Sequence, residues 1–175
     1  MSIWRPVLDS GEAPVKFCQQ FFVAMASGTP DHAALAAAVI GLLRAGIPPS
    51  CRTFTSDLRI RTSSGLSTYP GAAVVRGKTV RAADDRIAVT NPCLLVEVTS
   101  ASTEDYDRGE KLRHYKSVST VQKIVIVSHR EARITLHCRE NAGDWPTTEA
   151  RTGDSVQLSC VAMTLVVDDV SRRGF

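Results

Sequence analysis

The period of the hydrophobic positions shifts along this chain, and each shift marks a different element. Residues 17–26, FCQQFFVAMA, are apolar and rich in strand formers, and predict a first strand after an irregular stretch at 1–14. The next segment, GTPDHAALAAAVIGLLRAGIPP, has helical spacing. Leu35, Val39, Leu42 and Leu43 share one face, and the alanines permit close packing. Thr29 stands where a cap is needed, Pro30 at the first helical position and Asp31 in the first turn; Gly46 and then Pro48-Pro49 end the helix.

Beyond Pro49 the pattern turns to strands. RTFTSDLRIRT and STYPGAAVVRG flank a Ser-Ser-Gly turn and predict a hairpin. IAVTNPCLLVEVTS holds a near-continuous apolar run, the signature of a central strand covered on both faces. A helix follows from about Ser102 to Val118, with Ser102 and Asp105 placed like a capping box. VQKIVIVS and ARITLHCRE predict a second hairpin, SVQLSCVAMTLVV a strand that closes the sheet, and DDVSRRGF a polar tail. This order predicts an α/β or α+β fold: a twisted mixed β-sheet flanked by helices, in a single domain over 1–175.

Composition alters this picture little. At 175 residues, 43% hydrophobic and 22% charged, the chain has the make-up of an ordinary globular protein with a real core. A net charge of +3 permits a nucleic-acid partner without requiring one. The five cysteines, at 18, 51, 93, 138 and 160, are odd in number, widely spaced and without a C-x-x-C pair. That argues against a disulfide framework or a zinc site and fits a reducing cytoplasm. AALAAAVIGLL is too short to span a bilayer, and the amino terminus shows no signal-peptide pattern.

The chemistry gathers around LLVEVTSASTEDYDRGEKLRHY. Glu97 interrupts an apolar strand, where an ionised carboxylate costs several kcal/mol unless a cation, a metal ion or a water-filled cleft compensates it. The helix after the strand brings Lys111 back along the sheet. Asp107 and Lys111 share a face of it, as do Lys111 and Tyr115. An acid at the carboxyl end of a strand with a lysine in reach suits metal-assisted hydrolysis; it equally suits a structural ion pair.

Three stretches, SDLRIRTSSGLSTYPGAAVVRG, NPCLLVEVTSASTEDYDRGEKLRHY and VQKIVIVSHREARITLHCRE, together resemble the Uma-two family of restriction endonucleases, within the PD-(D/E)XK nuclease superfamily. The resemblance runs from about Phe22 to Val170. It implies a restriction-endonuclease-like sheet and Mg²⁺- or Mn²⁺-dependent hydrolysis of DNA phosphodiester bonds. It also implies a homodimer, and a site built from an acid after Tyr-Pro, the Glu of Val-Glu-Val and a lysine. Glu97 matches that glutamate, with the Val98 carbonyl as a further metal ligand. The strand lysine of the wider superfamily is replaced by Thr99, so Lys111 on the helix is the matching amine.

The departures are as informative. Tyr69-Pro70 is followed by Gly71 where the family pattern has Asp, so a principal metal carboxylate is missing and any ion is expected to bind weakly. An early acid of relatives aligns with Lys16, which would neutralise Glu97 if it points inward. If the hairpin centres near Ser64, Asp57 lies opposite Gly71 and fills the vacancy; otherwise it is an edge charge paired with Arg59 or Arg61. His32, in the first turn of the first helix, and Tyr115, one turn past Lys111, are further candidates, while Asp107 and Glu110 are expected to face solvent. Arg76, Lys78, Arg81, Arg108, Arg113 and Lys116 are candidates for a phosphate track. Two readings stay open: a nuclease impaired at Gly71, and an inactive relative that retains nucleic-acid or protein binding.

Overall fold

The computed structural model describes residues 29–140 and 143–174; the strand expected at 17–26, the irregular stretch at 1–14 and Lys16 lie outside them. The first helix, α1 (Pro30–Gly46), forms as its sequence dictates. The Thr29 hydroxyl accepts from the His32 amide at 3.2 Å, and Ile47 closes the last turn onto Leu43. Leu35, Ala38, Val39 and Leu43 form its buried stripe.

The STYP hairpin is more divided than its sequence suggests. Its strands are β1 (Cys51–Thr55), β2 (Ile60–Arg61), β3 (Ser67–Thr68) and β4 (Ala72–Arg76). The short inner ribbon pairs Ile60 with Thr68, centred on Ser64 as expected. The outer pair has slipped by one residue, so that Thr55 faces Ala72. β4 leads to the central strand β5 (Leu94–Val98), all five residues of which are buried. β6 (Lys123–Val127) lies parallel to β5. β7 (Arg133–Cys138) and an edge strand β8 (Thr147–Arg151) then complete a six-stranded mixed sheet in the order β1-β4-β5-β6-β7-β8.

β8 was not foreseen. Its sequence, TTEAR, buries only Ala150, and an edge strand facing water has no apolar alternation to display. Its charges answer those of β7 and the turn before it: Arg133 reaches Glu149 at 3.2 Å and Arg151 reaches Glu131 at 3.0 Å. The run at 155–167 does not close the sheet. It folds back on itself as β9 (Ser155–Leu158) and β10 (Met163–Val166), through a 3₁₀ turn in which Ala162 takes φ +50°. The expected polar tail is helical, α4 (Val167–Gly174), and packs against α1.

The sheet has two covered faces. One, with Ala72, Val74, Leu94, Val96 and Val98, meets α1, β9–β10 and α4. The other, with Ala73, Val75, Leu95, Ile124 and Ile126, meets Leu112, Tyr115 and Val118. By the alternation of strand side chains Glu97 belongs to this second face.

The crossover covering that face is two helices, α2 (Glu104–Arg108) and α3 (Glu110–Ser117), where the sequence predicted one from 102 to 118. Ser102 does not cap; its hydroxyl pairs with Ser100. The break falls at Gly109, with φ −104° and ψ −98°, and a Cβ there would lie 2.8 Å from the Asp105 carbonyl oxygen. Arg139 fixes the far end of α3, donating to the carbonyls of Lys116, Val118 and Val121 while its guanidinium stacks on Trp145.

This geometry makes a stability prediction. Alanine is favoured over glycine in helix interiors by up to about 1 kcal/mol, but here its methyl meets a backbone oxygen that cannot rotate away. Gly109→Ala should therefore lower stability in urea unfolding by about 1–3 kcal/mol, the usual scale of overpacking. A more stable variant would mean that the break is not imposed at this residue.

Candidate active site

The end of β5 delivers Glu97 into the space between the sheet and α3. The pairing of Ala72 with Val96 places Gly71 beside Glu97 on the neighbouring strand, and the Gly71 amide donates to Glu97 Oε2 at 3.3 Å. From the other side α3 presents Lys111 and, one turn on, Tyr115. Lys111 Nζ stands 2.9 Å from Glu97 Oε1 and 3.3 Å from Asp107 Oδ1. The Tyr115 hydroxyl donates to Glu97 Oε1. Asp107 is held in turn by the Thr103 hydroxyl at 2.7 Å, which also contacts Ser100.

Asp107 corrects an expectation. It does not face solvent: it is 3% exposed, as buried as Glu97 at 4%. The signal was its four-residue spacing from Lys111; once that lysine turns inward, the residue one turn earlier follows it. Glu110, in the first turn of α3, stays half-exposed and lies 3.7 Å from His114.

Burial sets the electrostatics. Desolvation pushes the Glu97 carboxyl above the usual carboxylate range; Lys111 opposes that shift, and Asp107 adds to it. Burial alone would lower the Lys111 amine, yet the two carboxylates together hold it above the ordinary lysine value. Tyr115 is pushed well above its usual value, first by burial and then by Glu97, so it keeps its proton and donates it. Two carboxylates thus share one ammonium. The cluster carries an excess negative charge unless it retains a proton or receives a cation.

The remaining candidates fall unevenly. His32 Nε2 lies 3.0 Å from the Val98 carbonyl oxygen, which brings α1 to the carboxyl end of β5. Asp57 does not pair across from Gly71, because β1 ends at Thr55 and the chain turns there. It lies exposed in the turn after β1, where it accepts from Thr55 at 3.2 Å. Nor does it pair with the nearby arginines: Arg59 is taken by Asp85 at 2.9 Å, and Arg61 by Asp84. A Cβ at Gly71 would meet the Val96 carbonyl at 3.2 Å and the Glu97 Cα at 3.7 Å, so a side chain there would project alongside Glu97 after a small adjustment. Among the described residues no three His, Cys, Asp or Glu side chains converge as a metal site. The predicted phosphate track is dispersed: Arg76 donates to the Cys160 carbonyl on the opposite face, Arg108 pairs with Glu104 at 3.1 Å, and Lys116 stacks on Trp145.

Removing the lysine tests the charge count. Lys111→Met leaves two buried carboxylates without their cation and should cost about 3–5 kcal/mol. A carboxyl whose folded pKa is raised stabilises the fold below the unfolded pKa, and that contribution fades as pH rises through the folded value. The deficit of Lys111→Met should therefore shrink as urea unfolding is repeated from about pH 8 down to pH 5. A pH-independent deficit would show that the acids are not held at Lys111's expense.

The comparisons agree with this architecture. A family model described as Uma2, "Putative restriction endonuclease", matches residues 8–168. The uncharacterized protein slr1290 of Synechocystis sp. is 30% identical over 151 residues, 85% of this chain and 78% of its own. A second Synechocystis protein, the uncharacterized sll1609, is 27% identical over 97 residues, 55% of each chain. Among solved structures, a "putative nuclease belonging to DUF820" from Anabaena variabilis superposes with a TM-score of 0.69 at 16% identity, covering 86% of this chain and 85% of that one. With that family model spanning most of its length, the chain belongs to the Uma2 family of restriction-endonuclease-like proteins.

Proposed function

We propose that this protein hydrolyses phosphodiester bonds in DNA with the help of a divalent cation, Mg²⁺ or Mn²⁺, bound weakly at Glu97. The observation that carries this reading is the buried Glu97–Lys111–Asp107 cluster at the end of β5, with more carboxylate than ammonium. The donors fit a hard cation in kind: Glu97 and Asp107 offer carboxylate oxygens, the Val98 carbonyl a third oxygen, and magnesium takes one or two carboxylates together with water and phosphate oxygens. Such an ion supplies Lewis-acid polarisation of the phosphate and a hydroxide near neutral pH.

The protein's own groups have separate tasks in this reading. Tyr115 and the Gly71 amide fix the two oxygens of Glu97. Asp107, anchored by Thr103, keeps Lys111 extended toward the strand end. Lys111 then orients the attacking water or steadies the charge that develops on the phosphate. His32 holds the Val98 carbonyl and so shapes the mouth of the site.

A second reading is favoured by Gly71: a protein that binds DNA and does not cut it, in which Lys111 alone neutralises Glu97. Plasmid nicking in Mg²⁺ or Mn²⁺ separates the two. The parent should nick slowly, Glu97→Gln should abolish nicking, and Gly71→Asp should raise metal affinity by about tenfold or more, the scale on which groups around a metal change its binding. Nicking that survives Glu97→Gln would refute the site. A silent parent beside an active Gly71→Asp would establish the second reading.

A further inference from the structure

The loop between β4 and β5 contains two acids, Asp84 and Asp85, and both are turned away. Asp85 pairs with Arg59 at 2.9 Å, and Asp84 pairs with Arg61. The cations of the same neighbourhood are left without counterparts. Lys78, Arg81 and Arg86 from the loop and Arg52 from β1 all line one open groove of about 940 Å³, and among the described residues no acidic side chain lines it. All four are exposed, and among the described residues none of them has an acidic partner. Among the described residues most other arginines are engaged: Arg108, Arg130, Arg133, Arg151 and Arg172 with carboxylates, Arg76 and Arg139 with backbone carbonyls. Four uncompensated cations around one concavity set up a local positive potential that a scattered surface charge does not.

The groove floor is apolar, formed by Phe54, Leu58 and Val89, and Ile87 stands on its rim at 68% exposure. Phe54 lies opposite Ala73, on the sheet face that carries Leu95 and Glu97. The groove and the buried carboxylate therefore lie on the same side of the sheet. Its size suits a stretch of polymer better than a single inorganic anion.

The geometry points to this groove as the seat of a duplex DNA backbone, with Arg52, Lys78, Arg81 and Arg86 contacting successive phosphates. A single strand would ask for stacked aromatic rings, and among the described residues Phe54, half-buried in the floor, is the one aromatic lining it. Contacts of this kind position a duplex without reading its sequence. The assignment deepens the nuclease reading by saying where the uncut length of the substrate rests.

The test is fluorescence anisotropy of the full chain with a short labelled DNA duplex, in EDTA so that nothing is cleaved, between about 50 and 200 mM salt. Arg81→Gln combined with Arg86→Gln should reduce the salt slope of log affinity by about 1.8, at 0.9 per lost phosphate contact, equally for unrelated sequences. Arg44→Gln combined with Arg172→Gln removes the same charge from the α1–α4 side and should leave the slope as it was. Equal losses in both double variants, or no duplex binding by the parent, would overturn the groove. Tighter binding of a single strand or of duplex RNA would overturn the duplex DNA assignment. The two proposals also fail separately. A parent that binds through the groove yet never nicks DNA, even as Gly71→Asp, sinks the nuclease reading and keeps the groove. A parent that nicks with groove variants unaltered in slope does the reverse.

Discussion

One buried ammonium organises the end of the central strand and the crossover packed on it. Lys111 answers Glu97 on the central strand and Asp107 on the preceding helix, with side-chain exposures of 9%, 6% and 4%. Charges so far from water are tolerated only when they are paired and hydrogen-bonded. Tyr115, Thr103 and the Gly71 amide supply those bonds. The arrangement is demanding: strand β5, helix α3 and the turn before it must be in register with one another for any of the three charges to be solvated by the protein. A purely apolar contact at this place would fill the same volume at lower risk, so the ions fix the relation between crossover and sheet at some cost in stability.

The crossover that carries these charges is broken at Gly109 into α2 and α3. Asp107 and Lys111 keep their one-turn spacing across the break, with Lys111 3.3 Å from Asp107, while α3 packs Leu112 and Tyr115 onto the sheet. Arg139 then clamps the far end of α3 through three backbone carbonyls. The lysine is thereby held between the break at Gly109 and this clamped end.

Much of this was legible in the sequence. A glutamate in an apolar run marks both a central strand and a site, and helical spacing then selects Lys111 and Tyr115. The family resemblance singled out Gly71, whose amide donates to Glu97. The helix break was hidden because a glycine inside a helical pattern is usually tolerated. β8 was hidden because an exposed edge carries no alternation. The run at 155–167 looked like one strand because its turn uses Ala162 at positive φ, where no glycine announces it. Asp57 was misplaced because the chain leaves the sheet after Thr55 and turns before β2, so that residue 57 pairs with no strand.

The edge formed by β8 has a consequence for assembly. It carries one acid and one base, Glu149 and Arg151, already engaged by Arg133 and Glu131. A neighbouring chain that tried to lengthen the sheet there would have to strip water from these charges and break their pairs, a recognised safeguard against edge-to-edge growth. The charges at β8 therefore oppose extension of the sheet by a second copy at that edge.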